Sequence, residues 1–147
     1  MKVTILENSS KETEIIIRCD KITDEILLLA EKIRNSKDKI SVYDENMETT
    51  LILIEDILYC EYVDRSVYLY TIDKMYKTNL ALIQLEENYL PENFIRCSKS
   101  FIVNINFIEK FKSELSGRLI ATLENNEQIY ISRHYVKLFK KKLNDMR

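Results

Sequence analysis

Short runs of β-branched and aromatic residues, separated by polar turns, recur at near-regular intervals through most of this 147-residue chain. Runs of this length and composition predict strands. From residue 39 onward, the predicted strands and extended segments are Lys39–Tyr43, Thr49–Ile54, Ile57–Tyr62, Ser66–Ile72, Met75–Thr78, Phe94–Cys97, Asn106–Phe111, Arg118–Leu123 and Gln128–Ile131. The predicted helices among them are Leu80–Tyr89, capped by Asn79, and Arg133–Asn144, capped by Ser132. Many short strands with few helices indicate a compact, mainly β (α+β) domain and argue against a Rossmann fold.

The first forty residues have a different pattern. Glu14–Cys19 is a β-branched run that predicts a short strand. Thr23 is a predicted N-cap, and apolar residues at helical spacing predict an amphipathic helix over Thr23–Arg34. A polar cluster, Asn35–Asp38, marks a boundary. Forty residues rarely hold a core alone, so we expect residues 1–40 to form a strand–helix unit that packs on the remainder, dimerises or receives a regulatory input.

Residue counts exclude several classes of site. With one glycine, Gly117, and one histidine, His134, neither a glycine-rich phosphate loop nor a histidine-based zinc cage can be built. We therefore expect no metal or cofactor, and no small-molecule substrate is evident. Three cysteines without Cys-x-x-Cys spacing suit free thiols in a reducing compartment. No apolar run is long enough for a signal peptide or a membrane span, so we expect a cytoplasmic protein.

Charge is segregated along the chain, although the net charge is only -2. Residues 41–95 carry 3 basic and 11 acidic side chains, a net of -8, whereas residues 96–147 carry 11 basic and 5 acidic ones, a net of +6. A basic segment of this kind suits a phosphate backbone, because neutralised phosphates release counterions. The alternative for its lysines at 137 and 140–142 is a solvated helix face. The acidic segment is compatible with a protein-interaction surface.

Three stretches together carry a resemblance to a known family. They are I-E-D-I-L-Y-C-E-Y at residues 54–62, F-I-R-C-S-K-S-F-I-V-N at residues 94–104 and I-S-R-H-Y at residues 131–135. In this order and spacing they resemble the motifs of the LytTR-type DNA-binding domain of bacterial transcriptional regulators. The short N-terminal part is similar to that of stand-alone regulators of this family, which lack a receiver domain.

The resemblance implies a domain over residues 41–147 made of short antiparallel strands in small sheets with a few short helices. It implies sequence-specific binding of double-stranded DNA, in which loops between strands insert side chains into successive major grooves. Members usually bind as a homodimer on two repeated half-sites, and the family is not enzymatic. Stand-alone members are often encoded beside a small membrane protein, so a small membrane regulatory protein is a candidate partner.

The polar cluster of the second stretch supplies the first candidates for DNA contact, which are Ser98, Lys99 and Ser100. They lie between apolar residues that would anchor a loop in a core. Lys99 matches a family position that contacts DNA and could donate to guanine O6 and N7, whereas the serines could donate to phosphates. Arg96 is either a further polar ligand or a structural residue paired with a carboxylate such as Glu61. Asn104 is interpreted as a turn-forming side chain that bonds local backbone.

The start of the last predicted helix and one loop supply the other candidates, which are Arg133, His134, Lys137, Arg65 and Ser66. A helix N-terminus favours phosphate, and Arg133 adds a planar fork for guanine or phosphate. His134 could hydrogen-bond a base or phosphate, or be a surface residue without a role. Arg65 is an isolated basic residue in an acidic stretch, and its alternative role is a salt bridge to Asp64 or Glu61.

Two other function classes can be written from the residues. A Cys97–His134 pair would be the nucleophile and base of a cysteine-dependent enzyme, and Cys60 with Cys97 could act as a redox sensor. No oxyanion donor or third member can be placed, so buried and inert thiols are favoured. The remaining class is an adaptor or anti-activator that uses the acidic segment. Tyrosines on predicted strands are interpreted as packing residues, not as a stacking platform for single strands.

Overall fold

The computed structural model describes residues 1–8, 13–34 and 38–145. The chain divides into two compact units, Met1–Ser36 and Lys37–Arg147. Within the described ranges, no helix has the length and apolar character that crossing a bilayer requires.

The N-terminal unit contains α1 (Asp24–Arg34). The Thr23 Oγ1 accepts a hydrogen bond from the backbone N–H of Ile26 at 3.3 Å, which confirms the predicted N-cap. The predicted strand Glu14–Cys19 is wrong, because these residues have no regular secondary structure. A β-branched run forms a strand only where a neighbouring strand completes its ladder, and the described residues of this unit offer none. Of the predicted turn cluster, only Asp38 lies within the described residues.

A large antiparallel sheet dominates the second unit. Its strands are β1 (Lys39–Tyr43), β2 (Thr49–Leu53), β3 (Tyr59–Val63), β4 (Ser66–Tyr70), β5 (Met75–Thr78), β6 (Phe94–Ser98) and β7 (Phe101–Asn104). Their order across the sheet is β2-β1-β5-β4-β3-β7-β6. One short helix, α2 (Leu82–Asn88), links β5 to β6. Because β3 pairs with both β4 and β7, it joins two hairpins that are far apart in sequence.

A smaller sheet and the last helix complete this unit. The sheet consists of β8 (Ile108–Ser113), β9 (Leu119–Leu123) and β10 (Gln128–Ile131), in the order β10-β9-β8. The helix α3 (Arg133–Asp145) follows directly. Short antiparallel strands with few helices confirm the predicted mainly β architecture.

Two groups of buried apolar side chains hold this unit together. In the first, alternate residues of the large sheet, such as Val67 and Leu69, point to one side and pack with Leu82 and Leu85 of α2. In the second, residues of β6, β7 and the small sheet surround Phe139 of α3, which is fully buried. Burying a side chain of this size contributes roughly 1.5–3 kcal/mol, so α3 is firmly attached through its apolar face.

The predicted strands did not include β7, and α2 begins two residues later than predicted. Asn79 is not its cap. The N-cap is Ala81, whose backbone N–H donates to Gln84 Oε1 at 2.9 Å, while Thr78 Oγ1 accepts from the N–H of Leu80 at 3.1 Å. These two side chains satisfy the backbone groups ahead of the helix and fix its start.

Candidate nucleic-acid interface

Arg65 lies at the tip of the hairpin between β3 and β4. Val63 pairs with Ser66, so the turn has only two residues, Asp64 and Arg65, with φ of 50° and 62°. Positive φ at both central positions is the type I′ pattern, whose twist matches that of the flanking strands. Glycine or asparagine is usual at such positions, because the left-handed region is strained for other residues. Arg65 is exposed and the following Ser66 is half-buried.

Lys99 lies at the tip of a second hairpin, between β6 and β7. Ser98 pairs with Phe101, and a bulge at Cys97 shifts the register just before the turn. The Ser98 Oγ accepts a hydrogen bond from the backbone N–H of Ser100 at 3.2 Å. Lys99 is exposed, whereas both serines are half-buried. Lys99 is therefore the exposed side chain of this turn, whereas the Ser98 hydroxyl is bonded to the backbone.

The two hairpin turns lie at the same end of the large sheet. Glu61 of β3 pairs with Phe101 of β7, and the backbone N–H of Tyr62 donates to the carbonyl of Ser100 at 2.8 Å. Since β3 and β7 run antiparallel, the end of β3 that leads into Arg65 is beside the start of β7 that leads out of Lys99. Two predicted DNA contacts from separate parts of the sequence are thus neighbours.

Arg96 holds the second turn from inside. Its Nε donates to the carbonyl of Ser98 at 2.8 Å, and its Nη2 donates to the carbonyl of Lys99 at 2.7 Å. Its Nη1 forms a salt bridge with Glu86 Oε2 of α2 at 2.8 Å. The structural alternative for Arg96 therefore has a carboxylate partner, but the expected partner, Glu61, is wrong. Glu61 lies on β3, whereas the carboxylate that contacts the guanidinium belongs to α2.

The start of α3 is attached to the Lys99 hairpin. The backbone N–H of Ser132 donates to the carbonyl of Cys97 at 2.8 Å. A groove beside this bond is lined by Ser98, Lys99, Ser100, Ser132, His134 and Tyr135. His134 is exposed and Tyr135 is half-buried. Of the predicted residues at the helix start, His134 is therefore the one that shares a groove with Lys99.

Arg133 extends in another direction. It lies against Gly117 in the turn between β8 and β9, where a Cβ on the glycine would be 3.1 Å from Arg133 Cδ. Gly117 has a φ of 89°, which favours glycine, and the absence of a Cβ leaves room for the Arg133 side chain. Lys137 is exposed one helical turn after Arg133, and Lys141 is exposed one turn later again. These three residues form a basic stripe on the side of α3 away from Phe139.

The candidate donors are available for a ligand. Among the described residues, none of the side chains of Arg65, Lys99, Arg133, His134 and Lys137 forms a hydrogen bond or an ion pair. The alternative for Arg65, a salt bridge to Asp64 or Glu61, is not formed. An unpaired, exposed cation keeps its full field for a phosphate or a base edge.

The cysteines of the alternative enzyme and redox hypotheses are poorly placed for either. Cys60 and Cys97 are fully buried, and burial raises the pKa of both thiols from about 9 to about 12. The thiolate is the reactive form, so neither group is a nucleophile near neutral pH. Cys97 donates to the carbonyl of Ile95 at 3.5 Å, while His134 is exposed at the surface.

Two other interpretations of single residues agree with the geometry. Asn104 is fully buried; its Oδ1 accepts from Asn106 N–H at 3.0 Å, and its Nδ2 donates to the carbonyl of Ile57 at 2.9 Å. It is a structural residue at a turn, as predicted. Tyr59 stacks between Tyr70 and Phe101, with ring centroids 4.4 Å and 4.8 Å apart, and is itself buried. The Tyr59 ring is therefore covered on both faces and packs the protein, so it is not available to a nucleic-acid base.

Comparison with known proteins gives consistent matches. The model of the LytTr DNA-binding domain family matches residues 47–144. An uncharacterized HTH-type transcriptional regulator of Staphylococcus aureus strain MSSA476 is 32% identical over 146 residues, covering 97% of this chain and 98% of that protein. A regulator of the same description from strain NCTC 8325 is 30% identical over 145 residues, with the same coverage. The similarity to these proteins therefore extends over the N-terminal unit, which the family model does not include.

A solved structure shares the fold. A LytTr DNA-binding domain from Bacillus cereus superposes with a TM-score of 0.68 at 23% identity, over 74% of this chain and 98% of that one. The description "HTH-type" of the staphylococcal proteins has no counterpart in the described helices here. Strands separate α1, α2 and α3 from one another, so no two successive helices form a helix-turn-helix.

Proposed function

This chain belongs to the LytTR DNA-binding domain family, and we propose that it is a sequence-specific, cytoplasmic transcriptional regulator that reads the major groove with turns between its strands. The family is described as a DNA-binding domain, and the staphylococcal relatives are described as transcriptional regulators. The observation that carries the finer proposal is the convergence of exposed, unpaired cations. Arg65 and Lys99 lie at one end of the sheet, and the start of α3 is hydrogen-bonded to the Lys99 hairpin.

Within this proposal the residues have different tasks. Lys99 and Arg65 project from short turns that can enter a groove of the DNA. His134 and Lys99 line one groove on the protein surface. Arg133 contacts a base from the α3 side, with Lys137 and the lysines after it on the phosphate backbone. Ser66, Ser98 and Ser100 are half-buried beside these turns and donate to phosphates.

The experiment is titration of a labelled fragment of the promoter upstream of the protein's own gene, followed by footprinting of the bound fragment. If the basic segment makes about four phosphate contacts, log K falls with log salt at a slope near -3.6, since each neutralised phosphate contributes about -0.9. A random fragment of the same length is the control for sequence preference. Equal affinity for both fragments, or an affinity that salt does not change, would contradict the proposal.

We also propose that the protein is a homodimer on two repeated half-sites and that α1 is the dimer contact. No residue of α1 is fully buried, and the half-buried Ile26, Leu29 and Ile33 lie on one face. Its first turn carries Asp24 and Glu25, and its last turn carries basic residues. Antiparallel pairing of two copies would bury the apolar stripe and place each acidic end beside the partner's basic end. In this arrangement residues 1–40 form the dimer contact. Their alternative role is to receive a regulatory input by binding a small membrane protein.

A second candidate function, the adaptor or anti-activator, has one supporting observation. Leu51 and Ile72 are 62% and 66% exposed and line one groove whose charged residues are Asp56, Asp73, Lys39 and Lys74. Ile72 follows β4 at the end opposite to Arg65, so a protein bound there would leave the proposed DNA-binding turns open. Titration with DNA separates the two functions, because an adaptor that acts through this groove alone has no preference for a promoter fragment.

A further inference from the structure

The guanidinium of Arg96 makes three bonds that together define the backbone of the Lys99 turn. Two donors reach the successive carbonyls of Ser98 and Lys99, and the third reaches Glu86. The side chain of Arg96 is only 16% exposed. A guanidinium presents its donors in one rigid plane, so fixing it on one side fixes the two carbonyls on the other.

Glu86 anchors this arrangement to a rigid part of the molecule. It belongs to α2, whose Leu82 and Leu85 are buried in the core under the large sheet. The carboxylate therefore cannot follow a movement of the turn, and it also neutralises the charge of Arg96. A paired and largely buried guanidinium is a poor phosphate ligand, because moving it to DNA would leave the partly buried Glu86 carboxylate unpaired.

We propose that Arg96 and Glu86 are a positioning pair, which pre-forms the Lys99 turn in the shape that meets DNA and does not itself contact DNA. This inference rests on the proposed function for the part that concerns Lys99. A turn that is already ordered loses less conformational entropy on binding, so its side chain discriminates between bases more strongly. The stretch F-I-R-C-S-K-S thus contains Lys99, which contacts a base, and Arg96, which fixes the backbone from which Lys99 projects.

One test uses the protein without DNA. The N–H of Tyr62 donates to the carbonyl of Ser100, so its hydrogen exchange reports on the position of the Lys99 turn. Arg96→Gln and Glu86→Ala are each expected to accelerate exchange of this amide about tenfold, while the amides of β9 stay unchanged. Glu87→Ala is the matched control, because Glu87 is the exposed neighbour on α2 and has no bond to the turn. Unchanged exchange at Tyr62 in both variants would overturn the positioning role.

The second test uses DNA. Arg96→Gln and Lys99→Ala should each weaken binding to the specific promoter fragment about tenfold, equivalent to about 1.4 kcal/mol, with random-fragment affinity and salt slope unchanged. Because Arg96 acts through Lys99, the double variant should be no weaker than Lys99→Ala alone. Arg96→Lys should restore little, since an ammonium cannot bond both carbonyls and Glu86 in one plane.

The outcomes separate the two proposals. Additive losses, or a salt slope that decreases by about 0.9 in Arg96→Gln, would show that Arg96 itself contacts DNA and would overturn the inference. A wild-type protein without preference for the promoter fragment would contradict the proposed function, while the exchange of Tyr62 would still decide whether the pair shapes the turn. Glu86→Ala retains the arginine and removes only its anchor, so it provides the same test if Arg96→Gln does not fold, as judged by circular dichroism.

Discussion

The side chain of Arg133 passes directly over Gly117, the single glycine of the chain, with its Cδ 3.1 Å from the place where a Cβ would lie. The two residues belong to different elements, a turn of the small sheet and the first position of α3. The direction of Arg133 is thus set by the turn beneath it. A residue without a side chain is required there both by this contact and by the φ of 89°.

Gly117→Ala should lower the free energy of unfolding by about 1–2 kcal/mol, because alanine is strained at this φ and its Cβ meets Arg133. Urea denaturation monitored by circular dichroism measures the change. Ser116→Ala, in the same exposed turn, is the control and should stay within about 0.5 kcal/mol of the wild type. Wild-type stability of Gly117→Ala would show that the turn relaxes without strain and that Arg133 is not held by it.

Lys99→Ala and Arg133→Ala should each lose roughly 1–3 kcal/mol of discrimination between the specific site and single-base variants. Lys99 and Arg133 have different neighbours, so we expect specificity to relax at a different base pair in each variant. The measurement is competition against a panel of single-base variants of the footprinted site. Lys112→Ala, an exposed lysine on β8 outside the interface, is the control. If both variants keep the full wild-type preference profile while folded, these side chains do not read sequence.

Arg65→Asn should change stability and DNA affinity in opposite directions. Asparagine tolerates the left-handed conformation of this position, so the free energy of unfolding should rise by about 0.5–1 kcal/mol. Affinity for the promoter fragment should fall, since an unpaired cation is lost from the tip of the hairpin. Thermal unfolding and DNA titration on the same preparation measure both. A variant that gains stability and keeps wild-type affinity would exclude Arg65 from the interface.

Replacing Ile26 and Ile33 by Glu should convert the dimer to a monomer, because the apolar stripe of α1 would then carry charge. Light scattering at micromolar concentration measures the mass, and circular dichroism checks that the strands persist. Leu28→Glu, at a residue 59% exposed on α1 and off the stripe, is the control and should leave the dimer intact. A monomeric wild-type protein under these conditions would contradict dimerisation through α1.

Only Cys19 should react with iodoacetamide in the native protein, since it is exposed and the other cysteines are buried. The raised pKa of Cys60 and Cys97 also gives a pH dependence of stability. Their protonated forms are favoured in the folded state, so this contribution is complete below the ordinary thiol pKa of about 9 and is lost as the pH rises towards about 12. Mass spectrometry after labelling at pH 8 should find one adduct in native protein and three in urea, whereas two adducts on native Cys19→Ser would contradict the burial.

The elements that sequence reasoning predicted well are those with strong local signals. β1, β5 and β10 have the predicted bounds, because each is a short apolar or alternating run between turn residues. The run Glu14–Cys19 has the same local signal, yet it lacks a neighbouring strand. Local propensity therefore decided the outcome only where a partner strand existed to complete the ladder.

For the candidate interface, the sequence indicated residue types but not the contacts between them. Arg96 was a candidate structural residue, but its partner Glu86 lies on a helix whose position no local pattern encodes. Arg133 and His134 are adjacent in sequence, and on a helix adjacent residues point about 100° apart. One therefore lies over Gly117 and the other faces Lys99, a division that requires the packing of α3 on β6 to be known.

The shared strand β3 has a consequence for how such a protein changes its target. The two hairpins that carry Arg65 and Lys99 are adjacent in the sheet, in the order β4-β3-β7-β6. At about 4.8 Å between neighbouring strands, their tips are roughly 10 Å apart, close to the rise of three base pairs. The pairing of β3 with β4 and β7 fixes this distance whatever residues occupy the two tips. Under the proposed function, replacing one tip side chain would therefore change the base pair that it contacts, while the spacing between the two contacts stays the same.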